Sequence, residues 1–332
     1  MRRLPSTDLY FGNVCADVVA RWWRPAAGRR WVRRLSANAF VCGEWLVLIR
    51  HDQPAVMSEA LAWPGRLAYV IDDDIVAGAD CPMLPEAYRA RLTAFERSYH
   101  RALTERADLL LVSSDPLAEV FANASTVRAM VRRIEPAWNI PLADQTHFAA
   151  LEQGGVLRIA HLGSGSHAAG LDRIAPLLVR LLDDNPLVHF TYIAARGVHP
   201  SLEGRPRVRR VKPKPWPRYR RWLARQRFHL ALYPLMSTRF ERARSSNKLI
   251  EHAITGAVGL YPEGWTPAQA LGEGAFLAPS DPGDWGAALK AAMQSRAHLA
   301  EMARTAARLL STQDASGRQR ALWGEVLGID FS

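Results

Sequence analysis

The chain has 332 residues, which at roughly 100–200 residues per domain suggests two domains, each large enough for its own core. Hydrophobic residues at 48% and charged residues at 23% are the ordinary balance of a soluble globular protein, and no apolar run reaches the ~18–20 residues of a membrane-spanning helix. The formal charge of +11 favours polyanionic partners: nucleic acid, anionic lipid or phosphorylated substrates.

Met1-Arg2-Arg3-Leu4-Pro5 leads into polar residues without an apolar h-region, so no secretory signal is expected. Cysteine occurs only at 15, 42 and 81, an odd count without metal-ligand spacing, which suits reduced thiols in the cytosol. Residues 8–11 read as a first strand, followed by Gly12-Asn13 and a Trp/Arg-rich helix. Apolar runs at 46–49, 67–71, 109–112 and 131–134 read as buried strands, with helical patterns such as 85–105 between them. Strands alternating with helices mean βαβ units and a parallel sheet. The short 148–155 segment with its Gly-Gly pair marks a domain boundary, giving domains at 1–150 and 151–332. A second set of the same units follows: strands at 157–162, 188–193, 230–233, 258–261 and 275–277, and helices at 168–182, 219–226, 247–255, 285–293 and 298–310. Two doubly wound α/β halves in tandem place a ligand cleft between the carboxyl ends of two sheets.

The basic excess concentrates at 21–34 and 205–227, and nearly all of it is Arg; Lys stands only at 212, 214, 248 and 290. One of those four opens the most informative segment. Ser245 or Ser246 suits the N-cap of a helix, Gly256 suits its left-handed C-terminal position, and Lys248 and Glu251, three apart, share one face. A helix N-terminus attracts phosphate, a Lys there adds a point charge, and a carboxylate one turn on can accept from two ribose hydroxyls. The bland alternative is a capped surface helix with an ordinary ion pair of ~0.3–0.5 kcal/mol.

Leu230-Ala231-Leu232-Tyr233-Pro234-Leu235, the Arg-rich loop, Asn247-Lys248-Leu249-Ile250-Glu251-His252-Ala253 and Gly256 together resemble the donor-site region of bacterial family-four-type glycosyltransferases. The resemblance extends through the C-terminal half, including 274–285 and 299–310. It implies the GT-B fold, two Rossmann-like domains facing each other across a cleft, with the acceptor bound by the N-terminal domain and the last helix placed back against it. It also implies a retaining, metal-independent enzyme without a cofactor, of the kind that builds capsules, exopolysaccharides and lipopolysaccharide. Glu251 would be the second Glu of the family's E-x7-E motif and contact the ribose, while Lys248 and the Ser245-Ser246 backbone would meet the diphosphate; Arg244 is a further candidate to neutralise the leaving group. The first Glu would fall at 243, which is Ala, as in many capsule-type relatives; Glu241 replaces it only if the loop shifts by two residues.

Two further segments join the candidate site. The turn at 161–167 follows the first strand of the second domain, and Gly163, Ser164 and His167 match a Gly-rich turn of that family; most such turns are plain βα loops. Asp72-Asp73-Asp74 ends the 67–71 strand, where three carboxylates must be solvated, paired or liganded. A DxD-type metal site is set aside because the diphosphate site lies in the other domain. The run resembles an acceptor-side turn of the same relatives, which makes Asp73 and Asp74 candidates to orient or deprotonate the acceptor hydroxyl; helix-capping aspartates are the alternative. Arg50 and His51 are weaker candidates of the same kind.

The leading expectation is transfer of a sugar from a nucleoside diphosphate sugar to a saccharide or lipid-linked acceptor in bacterial surface polysaccharide synthesis. Trp22, Trp23 and Trp31 among six arginines at 21–34 suggest peripheral attachment to the anionic inner face of the cytoplasmic membrane. A non-catalytic GT-B relative in an assembly complex is the alternative. A nucleic-acid-binding protein is a weaker one, because no helix-turn-helix, RRM or zinc spacing appears.

Overall fold

The computed structural model describes residues 3–15, 32–163, 165–195 and 200–328. Ser164 and most of the 21–34 stretch lie outside them, so those two readings have no structural counterpart. Among the described residues no helix is long and apolar enough to cross a membrane.

Two six-stranded sheets organise the described residues. The first holds β1 (Val32–Arg34), β2 (Ala39–Cys42), β3 (Trp45–Ile49), β4 (Arg66–Ile71), β5 (Leu109–Val112) and β6 (Met130–Arg133) in sequence order. The first three are antiparallel and the rest parallel. The second holds β7 (Leu157–His161), β8 (Val188–Ile193), β9 (Val208–Val211), β10 (Leu230–Leu232), β11 (Val258–Pro262) and β12 (Ala275–Ala278). All are parallel, in the order β9-β8-β7-β10-β11-β12. That order reverses direction between β7 and β10, so the ends of these two strands flank the crevice where doubly wound sheets take ligands.

The apolar runs of β3, β4 and β5 are continuous because both faces of their sheet are covered. Successive side chains alternate. Leu46 and Leu48 join a core with Leu103, Leu117 and Phe121 of the crossover helices. Val47 and Ile49 face the other way, toward Tyr10, Phe11, Trp216 and Trp323. Sequential strand order leaves that second face without crossover helices of its own. The N-terminal segment and the closing helix Ala315–Leu327 cover it instead, together with Trp216 from the other domain. The closing helix is pinned there by Trp323 Nε1, which donates to the Tyr10 carbonyl at 2.9 Å, and by Gln319 Nε2, which donates to the Leu9 carbonyl at 2.7 Å.

One expected strand is absent. Residues 8–11 are helical: Pro5–Thr7 runs on into a wider helical turn over Asp8–Gly12. Pro5 in the first turn pre-sets the helical φ without sacrificing a hydrogen bond. Leu9, Tyr10 and Phe11 are all buried there, so the run is apolar for a helical reason.

Candidate functional site

The two domains enclose a cleft of about 770 Å³ at the carboxyl end of the second sheet. Its C-terminal wall begins with the helix Asn247–Ile254, which Gly256 terminates at φ 76°. Ser246 is the N-cap residue but makes no side-chain capping bond. Lys248 and Glu251 both line the cleft, and their side chains are only 12% and 3% exposed. Lys248 Nζ donates to the Leu162 carbonyl at 2.7 Å and pairs with Glu251 Oε2. The other Glu251 oxygen accepts from the Tyr219 hydroxyl. Burial, then the Glu251 charge, pushes that phenol well above its ordinary range, so Tyr219 stays a donor. A cation and an anion thus sit at the start of a helix beside the β7 exit, largely out of water.

The β7 turn supplies the facing wall, with Gly163 and His167 in the lining. A Cβ at 163 would collide with the His161 ring and the His167 Cβ. A Cβ at 170 would run into the Pro234 carbonyl, so glycine there lets the following helix approach the end of β10. Three buried histidines surround Lys248 without competing for its charge. Burial, then Lys248, holds His161 down to about 3. Burial also holds His167 and His252 well below the usual imidazole range, helped by Arg244 and Lys248 at the first and by Lys248 and His161 at the second.

Arg244 connects the halves. Its Nη1 lies 2.9 Å from Asp73 Oδ1, its guanidinium stacks over Phe240, and its Nε and Nη2 are buried without a hydrogen-bond partner. Asp73 also receives Arg50 Nη2 at 2.5 Å, and Arg50 Nη1 lies 3.1 Å from Asp72. Asp72 accepts from Ser6 Oγ; burial raises its pKa against the opposing pull of Arg50.

Asp72 and Asp73 therefore face the cleft, and Asp74 does not join them. It caps the helix Ile75–Ala79 by accepting from Ala77 N at 2.9 Å, and it holds Arg239 Nε at 2.9 Å. The helix-capping alternative describes that residue. His51 lies to one side, where burial and then Arg50 hold it down to about 4. Glu241 takes no part either. Thr238 Oγ1 caps the helix by accepting from Glu241 N, and the Glu241 carboxylate accepts from Met236 N, two residues before the cap, so the side chain is held outside the cleft lining. Ala243 is buried, and its carbonyl accepts from Ser114 Oγ of the first domain at 2.7 Å.

Solved structures share this architecture. Anabaena HepE, in complex with UDP and glucose, matches with a TM-score of 0.60 at 15% identity over 85% of this chain and 77% of that one. An alpha,alpha-trehalose-phosphate synthase (UDP-forming) from Burkholderia vietnamiensis gives 0.56 at 12% identity over 85% and 72%. TarM gives 0.57 at 10% over 85% and 55%. The fold is GT-B. No protein-family model matches the sequence, and no curated protein does. At these identities the likeness is one of fold, so the chemistry of this GT-B cleft rests on its own residues.

Sequence reasoning missed several of those residues. Tyr219, Trp216 and Ser6 line the cleft, and their partners Glu251, Asp8 and Asp72 are far from them in the sequence. Trp216 Nε1 donates to Asp8 Oδ2 at 2.6 Å, 208 residues away. Trp138, from the segment joining the GT-B domains, donates to Asn247 Oδ1 at 2.8 Å and fixes the first residue of the Lys248 helix. A second concavity of about 800 Å³ lies between helices Ala168–Asp184 and Gly286–Gln294 and shares no lining residue with the cleft.

Proposed function

We propose that this chain is a glycosyltransferase that moves a sugar from a nucleoside diphosphate sugar to a saccharide or lipid-linked acceptor, with retention and without a metal ion. The carrying observation is the buried Lys248–Glu251 pair at a helix N-terminus, beside the β7–β10 crossover and opposite the unpartnered Arg244 donors. Glu251 accepts the ribose hydroxyls. Lys248, the Arg244 donors and the backbone N–H groups at Ser245 and Ser246 meet the diphosphate charge that grows as the sugar leaves. The carboxylate run does not need a cation for balance, since Arg50, Arg244 and Arg239 already pair it. Asp73, with Asp72, orients the acceptor hydroxyl from the opposite wall. The test is calorimetry with UDP and other nucleoside diphosphates, followed by transfer assays with the matching sugar donors. No nucleoside diphosphate binding by the folded chain rejects the proposal.

Surface polysaccharide synthesis at the inner face of the cytoplasmic membrane is the setting that the basic, Trp-bearing 21–34 stretch supports. Sedimentation with anionic vesicles tests it: binding should fall with salt and with Arg29, Arg30, Arg33 and Arg34 changed to Gln. A second reading, a non-catalytic GT-B relative, draws on Ala243, which stands buried where the family's first Glu would be. Nucleotide binding without turnover of any donor would favour it.

A further inference from the structure

We infer that the acceptor side carries a separate subsite for an aliphatic chain attached to a phosphate, which makes the acceptor a lipid phosphate derivative and not a free saccharide. This rests on the proposed transferase reading and narrows its acceptor.

A cavity of about 420 Å³ opens beside the cleft in the first domain. Arg50, Tyr88 and Arg91 line both spaces, so the two adjoin at these side chains. Beyond them the cavity is mostly apolar, walled by Met57, Ile75, Leu92 and Phe95, with His51, Ser98 and Tyr99 as its polar members. A sugar placed there has more hydroxyls than those three side chains can pair, and each one left over is a substantial penalty out of water. An alkyl or isoprenoid chain meets no such penalty, and each methylene taken out of water strengthens binding by about fourfold.

The charge at the junction fixes the other half of the ligand. Arg50 is balanced by Asp72 and Asp73, but its Nε is buried without a partner. Arg91 is exposed, sits 5.2 Å over the Tyr88 ring and has no carboxylate partner among the described residues. A phosphate at the junction satisfies Arg91 and lies between the apolar cavity and the Asp72–Asp73 wall. The same segment of chain exposes Val76 and Met83, each 41% accessible, two of the few large apolar side chains on the described surface. A largely apolar cavity next to an unpaired arginine is complementary to a ligand that is part lipid and part anion.

The test uses the full chain and four titrants: octyl phosphate, inorganic phosphate, octanol and UDP. Octyl phosphate should bind at least tenfold tighter than either inorganic phosphate or octanol, and affinity should climb from hexyl to octyl to decyl phosphate. Ala94 and Ser98 line the cavity from exposed positions, so Ala94→Trp and Ser98→Trp fill it without disturbing the core. Each should weaken octyl phosphate at least tenfold, and Ala94→Trp should leave UDP affinity unchanged. Arg91→Glu should weaken octyl phosphate and spare octanol. Octyl phosphate binding no tighter than inorganic phosphate, or with both Trp variants indifferent, overturns the subsite while UDP binding keeps the donor reading intact. The opposite pattern, a working alkyl series without UDP binding, upholds the subsite and removes the donor reading.

Discussion

The Lys248–Glu251 pair offers a direct way to separate folding from function. Both side chains are nearly out of water, and their partners number three: each other, the Leu162 carbonyl for Lys248 and the Tyr219 hydroxyl for Glu251. Removing one member of a buried ion pair leaves an uncompensated charge, so Lys248→Met and Glu251→Leu should each lose about 3–5 kcal/mol. Removing both leaves no buried charge, and apolar side chains of similar volume often equal or exceed the stability of the pair they replace. Glu251→Leu also orphans the Tyr219 hydroxyl, at about 1–3 kcal/mol, so the cycle belongs in a Tyr219→Phe background. There the double variant should return to within about 1 kcal/mol of its parent, a coupling of several kcal/mol. Urea unfolding with an unchanged m-value reads the stability, and calorimetry should find UDP binding absent. Additive single losses would show that the two side chains do not interact. A restored, stable double variant that still binds UDP like the parent would refute the donor assignment outright.

Buried neutral histidines make the fold acid-sensitive. His100 and His161 fall to about 4 and about 3 through burial, with Lys248 adding to the second. The unfolded chain protonates them near 6.5, so their contribution is full above that pH and lost as pH falls toward the folded values. Between pH 7 and pH 5 each should lose about 2 kcal/mol; His100→Phe should shrink the total loss by that amount in urea titrations, and an unchanged loss contradicts the account. Trp323→Ala should destabilise by about 3–5 kcal/mol, because the indole is wholly buried and donates to the Tyr10 carbonyl; a loss under 1 kcal/mol would mean the closing helix is not what seals that face. Transfer should persist in EDTA, whereas loss with chelator and recovery with Mn²⁺ would move the diphosphate to Asp72–Asp74.

The sheet strands were legible where parallel pairing made them continuous apolar runs, as at β3, β4, β5, β7, β10 and β11. β9 was not, because Val208–Val211 is an edge strand with two exposed arginines. The β1–β2–β3 antiparallel hairpin was missed as well, since its first strand carries two arginines and its second abuts β3 across a short turn. Four apolar-rich residues at 8–11 fit a strand or a helix equally, and Pro5 was the overlooked signal. At the cleft, the i, i+3 spacing of Lys248 and Glu251 exposed their pairing, as local geometry does. Thr238-x-x-Glu241 was a readable N-cap signal that would have placed Glu241 in the first turn of a short helix. The roles of Arg50, Tyr219 and Trp216 depend on contacts between distant segments, which no local pattern encodes.

The closing helix has a consequence for synthesis. Ile134 completes the first sheet's own stretch of chain, yet the side chains that seal its Val47–Ile49 face include Leu322, Trp323 and Leu327. At ribosomal rates of about 5–20 residues per second, that face waits roughly 10–40 s for its cover. During this interval an apolar surface is open to chaperones and to other nascent chains. A stop codon placed just after residue 312 would spare every strand of both sheets and still leave the first domain permanently without the Leu322, Trp323 and Leu327 part of that cover.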